Sequence, residues 1–135
     1  MAFGDFYHYE EQAVVLKPGA YEVVLTRIFE DNINTFRVLK FEFRVEGMNS
    51  RTSPGNFILF DVTDPQDPEK LSMFNRRASK IKECFMLKGP FCESNYVAWQ
   101  GKKGKIFVSI DKAGYVNVSD FYPNENLTSS DRAML

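Results

Sequence analysis

Three strand-like runs, one long basic helical stretch and a lysine-rich pair of runs follow one another along this chain, and that order constrains the fold more than any single motif. The first three runs are Ala20 to Phe29, Phe36 to Val45 and Phe57 to Val62. The helical stretch is Glu69 to Leu87, and the closing pair is Lys105 to Asp111 and Tyr115 to Phe121. Apolar residues recur every second position in the strands and every third or fourth in the helix, the two periods that separate these structures.

Strand, strand, strand, helix, strand, strand is the order of an OB barrel. The expected fold is therefore mainly β, a five-stranded OB-fold barrel with one long helix between strands three and four. At 135 residues the chain fits one domain that buries roughly two-thirds of its unfolded surface. Residues 18–123 are read as that domain, 1–17 as an aromatic and acidic N-terminal arm, and 124–135 as a flexible polar tail.

The alternation assigns faces. In the first strand Tyr21, Val23 and Leu25 share one side, yet Ile28 looks inward and Arg27 outward, so a bulge near Thr26 is expected. Asp31 to Asn34 supplies the turn. Leu39, Phe41, Phe43 and Val45 form the core face of the second strand, leaving Phe36, Val38, Lys40, Glu42 and Arg44 outside. In the third strand Ile58, Phe60 and Val62 are read as inward. Phe57, Leu59 and Asp61 are then outward, because a carboxylate is expensive to bury.

Asp67-Pro68 reads as an N-cap followed by proline at the first helical position, and Gly89-Pro90 as the stop. Leu71, Phe74, Ala78, Ile81 and Phe85 make the core face of that helix; Arg76, Arg77, Lys80 and Lys82 make a solvated basic face. Tyr96 and Trp99, on a short helix or turn, read as core or cap rings. Ile106, Val108 and Ile110 look inward on the fourth strand, Lys105, Phe107 and Ser109 outward, and Asp111 to Gly114 turns into the fifth.

Charge is unevenly placed. Residues 1–67 hold 6 Lys and Arg against 11 Asp and Glu, and residues 68–135 hold 11 against 7, so an anion-binding surface should draw mainly on the second half. Cys84 and Cys92 with one distant histidine, His8, make no zinc pattern; a buried thiol is the favoured reading of Cys84, with a disulfide as the alternative. No secretory leader or run of membrane-spanning length is visible, so an intracellular location is expected. A single histidine cannot serve a Cys-His or Ser-His pair, and Gly101-Lys102-Lys103-Gly104-Lys105 lacks the spacing of a phosphate loop and precedes a strand. No enzyme, cofactor or metal site is expected.

The chemistry that remains is binding. Outward positions combine four cations, Arg27, Lys40, Arg44 and Lys105, with four rings, Phe36, Phe57, Phe107 and Tyr115. Rings stack on unpaired bases of any sequence and cations follow the phosphates. Packing beneath the helix or the N-terminal arm is the alternative for each ring taken singly.

The short motifs Gly4-Asp5-Phe6, Tyr9-Glu10-Glu11, Pro18-Gly19-Ala20-Tyr21-Glu22-Val23, Phe41 to Gly47, Gly104 to Val108 and Val118 to Pro123, in this order, resemble a bacteriophage-encoded single-stranded DNA-binding family. The resemblance spans most of the chain. It implies an OB fold and coating of single-stranded DNA during phage replication or recombination in the host cytoplasm, alongside phage or host replication and recombination proteins. It leaves homo-oligomer formation open. Ser130 to Leu135 departs from the strongly acidic, apolar-tipped tail of cellular single-strand-binding proteins, so recruitment through the tail is not implied. The alternative function is a protein-interaction module of a phage replication or recombination complex without direct DNA binding.

Overall fold

The computed structural model describes residues 16–47, 54–61 and 66–135. Nearly all of the expected arm, most of the loop after Gly47 and the Val62 end of the third run lie outside the described residues.

Five antiparallel strands form one sheet: β1 (Gly19–Ile33), β2 (Phe36–Val45), β3 (Phe57–Phe60), β4 (Lys103–Ile110) and β5 (Val116–Tyr122), in the spatial order β3-β2-β1-β4-β5. The long β1 serves both halves. Its start pairs with β4, from Gly19 opposite Val108 to Val24 opposite Lys103, and its remainder pairs with β2, from Val23 opposite Val45 to Ile33 opposite Phe36. The register slips between Leu25 and Arg27, which is the bulge that the alternation required at Thr26. An extra residue sharpens the bend and twist of its strand, so β1 can curl from one set of neighbours to the other.

The edge strands come together across the remaining gap. A Cβ on Gly55 would lie 2.8 Å from the Val116 carbonyl oxygen, and the Phe57 and Phe121 rings meet edge to face at 4.8 Å. The sheet is a nearly closed, OB-like barrel.

Helix α1 (Pro68–Phe85) follows β3, and a second, short helix, α2 (Glu93–Trp99), stands between α1 and β4, where a short helix or turn was expected beside the one long helix. The Asp67 side chain accepts hydrogen bonds from the Glu69 and Lys70 amides at 3.1 and 3.2 Å, and Pro68 fills the first position, as the sequence led us to expect. Ala78, Ile81, Cys84 and Phe85 are buried, and a fully buried side chain such as Ile81 contributes about 1.5–3 kcal/mol. Leu71 is exposed and Phe74 only partly buried, because the first turns of α1 overhang the barrel. The helix stops at Met86, in the left-handed conformation with φ 54°, rather than at Gly89-Pro90. Its last turns lie so close to β4 that a Cβ on Gly104 would meet Cys84 Sγ at 2.7 Å.

The core is built largely from rings. Phe43 stacks on Phe85 at 5.6 Å and tilts against Phe121 at 6.3 Å, above Val23, Leu25, Phe41, Ile106 and Val108. Tyr96 and Trp99 are buried, as expected.

Four further expectations require correction. The faces of β3 are reversed: Phe57 is 6% exposed and Leu59 is buried, while Phe60 is 48% exposed. Asp61 has inward parity but falls just beyond β3 and stays exposed, so its charge did not fix the face. Val38, expected outside, is 2% exposed, lying on the outer side between Asp31 and Phe60. Ile110, expected inside, is exposed at the end of β4.

The fourth correction is the tail, which holds helix α3 (Ser129–Met134). Thr128 and Asp131 form a reciprocal capping box there. The helix is fastened to the end of α1 by Lys88 to Asp131 at 2.9 Å, by an Arg132–Glu83 pair, and by the Gly89 amide donating to the Met134 carbonyl.

Candidate nucleic-acid interface

Residues directly opposite each other on paired strands share a face, so the register maps the outer surface. Starting at the β1–β2 turn, Phe36 stands opposite Ile33, Lys40 between Phe29 and Ile58, Glu42 opposite Arg27, and Arg44 opposite Val24. Val24 is in turn opposite Lys103, Glu22 opposite Lys105, and Ala20 opposite Phe107. Six of the eight expected residues, Arg27, Phe36, Lys40, Arg44, Lys105 and Phe107, therefore lie along one outer surface running over three strands.

Tyr115 sits apart at the tip of the β4–β5 hairpin, 71% exposed. The Asp111 carboxylate builds that tip. It accepts hydrogen bonds from the Ala113 and Tyr115 amides at 2.9 and 3.0 Å, and these bonds, the Tyr115 amide foremost, hold its carboxyl below the usual carboxylate range. Phe57 does not belong to the surface at all. It lies in the core against Phe41 and Phe121, with the Arg77 guanidinium 4.7 Å from its ring centre.

Two rings that the sequence reading left out join the surface. Phe60, across β3, meets Phe36 edge to face at 6.1 Å, and both are about half exposed, at 48% and 47%. Phe29 carries the Arg27 guanidinium 4.0 Å over its ring. The signal for Phe60 was present in the period of two, since placing Phe57 and Leu59 inward forces Phe60 out.

The cations on this surface are mostly partnered. Arg27 pairs with Glu42 at 3.7 Å, Lys40 with Asp31 at 2.9 Å and Lys103 with Glu46 at 2.6 Å. The Lys40 hydrogen bond keeps the Asp31 carboxyl below its ordinary range. Arg44 has no ion-pair partner among the described residues, and Lys105 lies 5.5 Å from the centre of the Tyr122 ring. Exposed pairs of this kind contribute about 0–1 kcal/mol, so a phosphate can displace the carboxylates at small cost.

The basic face of α1 is largely given to structure. Arg77 donates to the Ile58 carbonyl at 2.9 Å, Lys80 pairs with Asp120 at 2.9 Å, and Lys82 donates to the Gly89 carbonyl with its ammonium 4.8 Å from the centre of the Phe91 ring. Burial at that site pulls the Lys82 ammonium below its usual pKa. Of the four expected cations only Arg76 is without such a partner among the described residues.

Cys84 is a free, buried thiol, pushed up to about 12 by desolvation, so the disulfide alternative falls away. Among the described residues no three His, Cys, Asp or Glu side chains converge to hold a metal ion, and no helix is long and apolar enough to cross a membrane. No protein-family model and no curated protein matches this chain.

Proposed function

We propose that the protein is a non-enzymatic single-stranded DNA-binding protein, coating unpaired strands during phage replication or recombination in the bacterial cytoplasm. The observation that carries this is the half-exposed Phe36–Phe60 pair on the outer face of an OB-like barrel, in line with Lys40, Arg27 and Arg44. Two adjacent half-exposed rings offer apolar surface to a partner. Bases of any sequence have a π-face to offer them, and each stacked base is worth about 1–3 kcal/mol.

Phosphates then exchange with Asp31 and Glu42 for the Lys40 and Arg27 side chains and meet Arg44 directly. Counterion release makes the affinity fall with salt, with a slope of log K against log salt of about −0.7 per phosphate neutralised. Phage context comes from the sequence resemblance; the surface chemistry supports strand binding by itself.

A second reading, a protein-interaction module of a replication complex, has one observation in its favour. The surface neutralises most of its own cations, as protein interfaces rich in aromatics and arginine can. Electrophoretic shift with single-stranded DNA, duplex and RNA of equal length separates the two. Retention of single strands over duplex is expected, and equal affinity for duplex would remove stacking as the mechanism.

A further inference from the structure

A second feature opens at the β3 edge of the same surface. Between β3 and the overhanging first turns of α1 runs a groove of about 450 Å³, lined by Phe36, Leu59, Phe60, Met73, Phe74, two cations, Lys70 and Arg77, and one exposed carboxylate, Asp61. The groove shares Leu59, Asp61 and Phe74 with a smaller neighbouring cavity of about 200 Å³ that Tyr96 also lines. Met73 and Leu71 stand exposed on the helix side, and the Lys70 ammonium has no ion-pair partner among the described residues.

We propose that this groove seats one unpaired base of the bound strand, between Phe60 on the sheet side and Met73 on the helix side, with the adjoining phosphate at Lys70. The inference rests on the single-strand reading above and extends it by giving the strand a path off the sheet over the β3 edge.

Three observations favour a nucleotide over a peptide. The volume lies in the range of small-molecule sites, about 300–1,000 Å³. The walls pair an aromatic ring with a polarisable thioether, which suits a flat π-system. Two cations against one carboxylate at the rim complement an anionic backbone, with Arg77 already fixed by the Ile58 carbonyl and Lys70 free to move. Phe60 belongs both to this groove and to the outer face, so the two sites join without a gap.

The test uses the full chain and an oligothymidylate carrying a single 5-iodouracil, irradiated and mapped by mass spectrometry. Cross-links are expected at Phe60 or Met73. Phe60→Ala should weaken binding about five-fold to a hundred-fold, and Lys70→Glu should weaken it measurably with an unchanged thermal midpoint. If the strand binds but cross-links fall only at Phe107 or Tyr115, and Met73→Ala and Lys70→Glu bind as wild type, the groove is not a base site while the single-strand reading stands. If wild-type protein does not bind the oligothymidylate, the single-strand reading fails and the groove assignment with it. Capture of an apolar peptide in the groove with no effect of these substitutions on strand binding would also overturn the assignment.

Discussion

Phe57 and Phe60 lie three residues apart on β3 and point to opposite sides, so truncating each should produce opposite phenotypes. Phe57 is 6% exposed, with ring contacts to Phe121 at 4.8 Å and Phe41 at 5.7 Å and a guanidinium at 4.7 Å. Phe57→Ala removes a large buried side chain and leaves a cavity where β3 meets β5, a loss of about 3–5 kcal/mol. At about 4 °C per kcal/mol for a domain of this size, the thermal midpoint should fall by about 12–20 °C. Phe60, half exposed, forfeits only about half the burial of a core ring, about 1 kcal/mol. Its edge contact with Phe36 adds about 0.5–1.5 kcal/mol. Phe60→Ala should therefore move the midpoint by about half as much, yet weaken single-strand binding about five-fold to a hundred-fold. Circular-dichroism melting and fluorescence anisotropy with a labelled oligothymidylate read the two quantities separately. A Phe57→Ala variant that melts with the wild type, or a Phe60→Ala variant that loses the larger stability and keeps its affinity, would show the β3 faces to be the other way round.

Gly104→Ala should destabilise the fold by about 1–3 kcal/mol, because the added methyl meets Cys84 and Phe85 where neither can yield, and a urea titration checks it. Asp31→Asn combined with Glu42→Gln should free Lys40 and Arg27, raise single-strand affinity at low salt and steepen the salt slope by up to about 0.7 for each phosphate gained. An unchanged slope in an anisotropy salt series would remove those two cations from the phosphate path. The α3 clasp should open in acid. The Lys88 hydrogen bond holds the Asp131 carboxyl down to about 2, so the stabilisation is complete above the ordinary carboxylate pKa and is lost as pH falls through about 2. Hydrogen exchange or NMR of the Gly89 amide, which donates to Met134, follows this directly. Protection that persists below pH 2 would remove Asp131 as the latch.

Much of the barrel was legible because its signals are local. The clean alternation from Leu39 to Val45, the parity change around Thr26 and the Asp67-Pro68 helix start each depend on a few neighbouring residues, and each is found where expected. Misreadings arose where burial depends on position within the barrel. Asp61 and Ile110 lie at strand ends, where inward parity no longer means enclosure. Val38 has outward parity yet is covered. The helix hidden in the polar tail had a readable signature, Thr128-Ser129-Ser130-Asp131, a hydroxyl N-cap with an acid three residues on; composition obscured it. The candidate surface was legible in its β1, β2 and β4 members and lost one ring, Phe57, to the core. Phe60 replaces it at the surface because a reversed strand exchanges one parity for the other. The ion pairs that neutralise the surface join Arg27 to Glu42 and Lys103 to Glu46 across strands, and partnership over such sequence distances follows from register alone.

Chemical-shift mapping of the isotope-labelled chain during titration with oligothymidylate tests the binding surface most directly. The amides expected to move are those of Arg27, Phe36, Lys40, Arg44 and Phe60, with smaller changes at Lys105 and Phe107, at a concentration that leaves an equal-length duplex unbound. Absence of any shift with single strands, or shifts confined to α2 and α3, would contradict it.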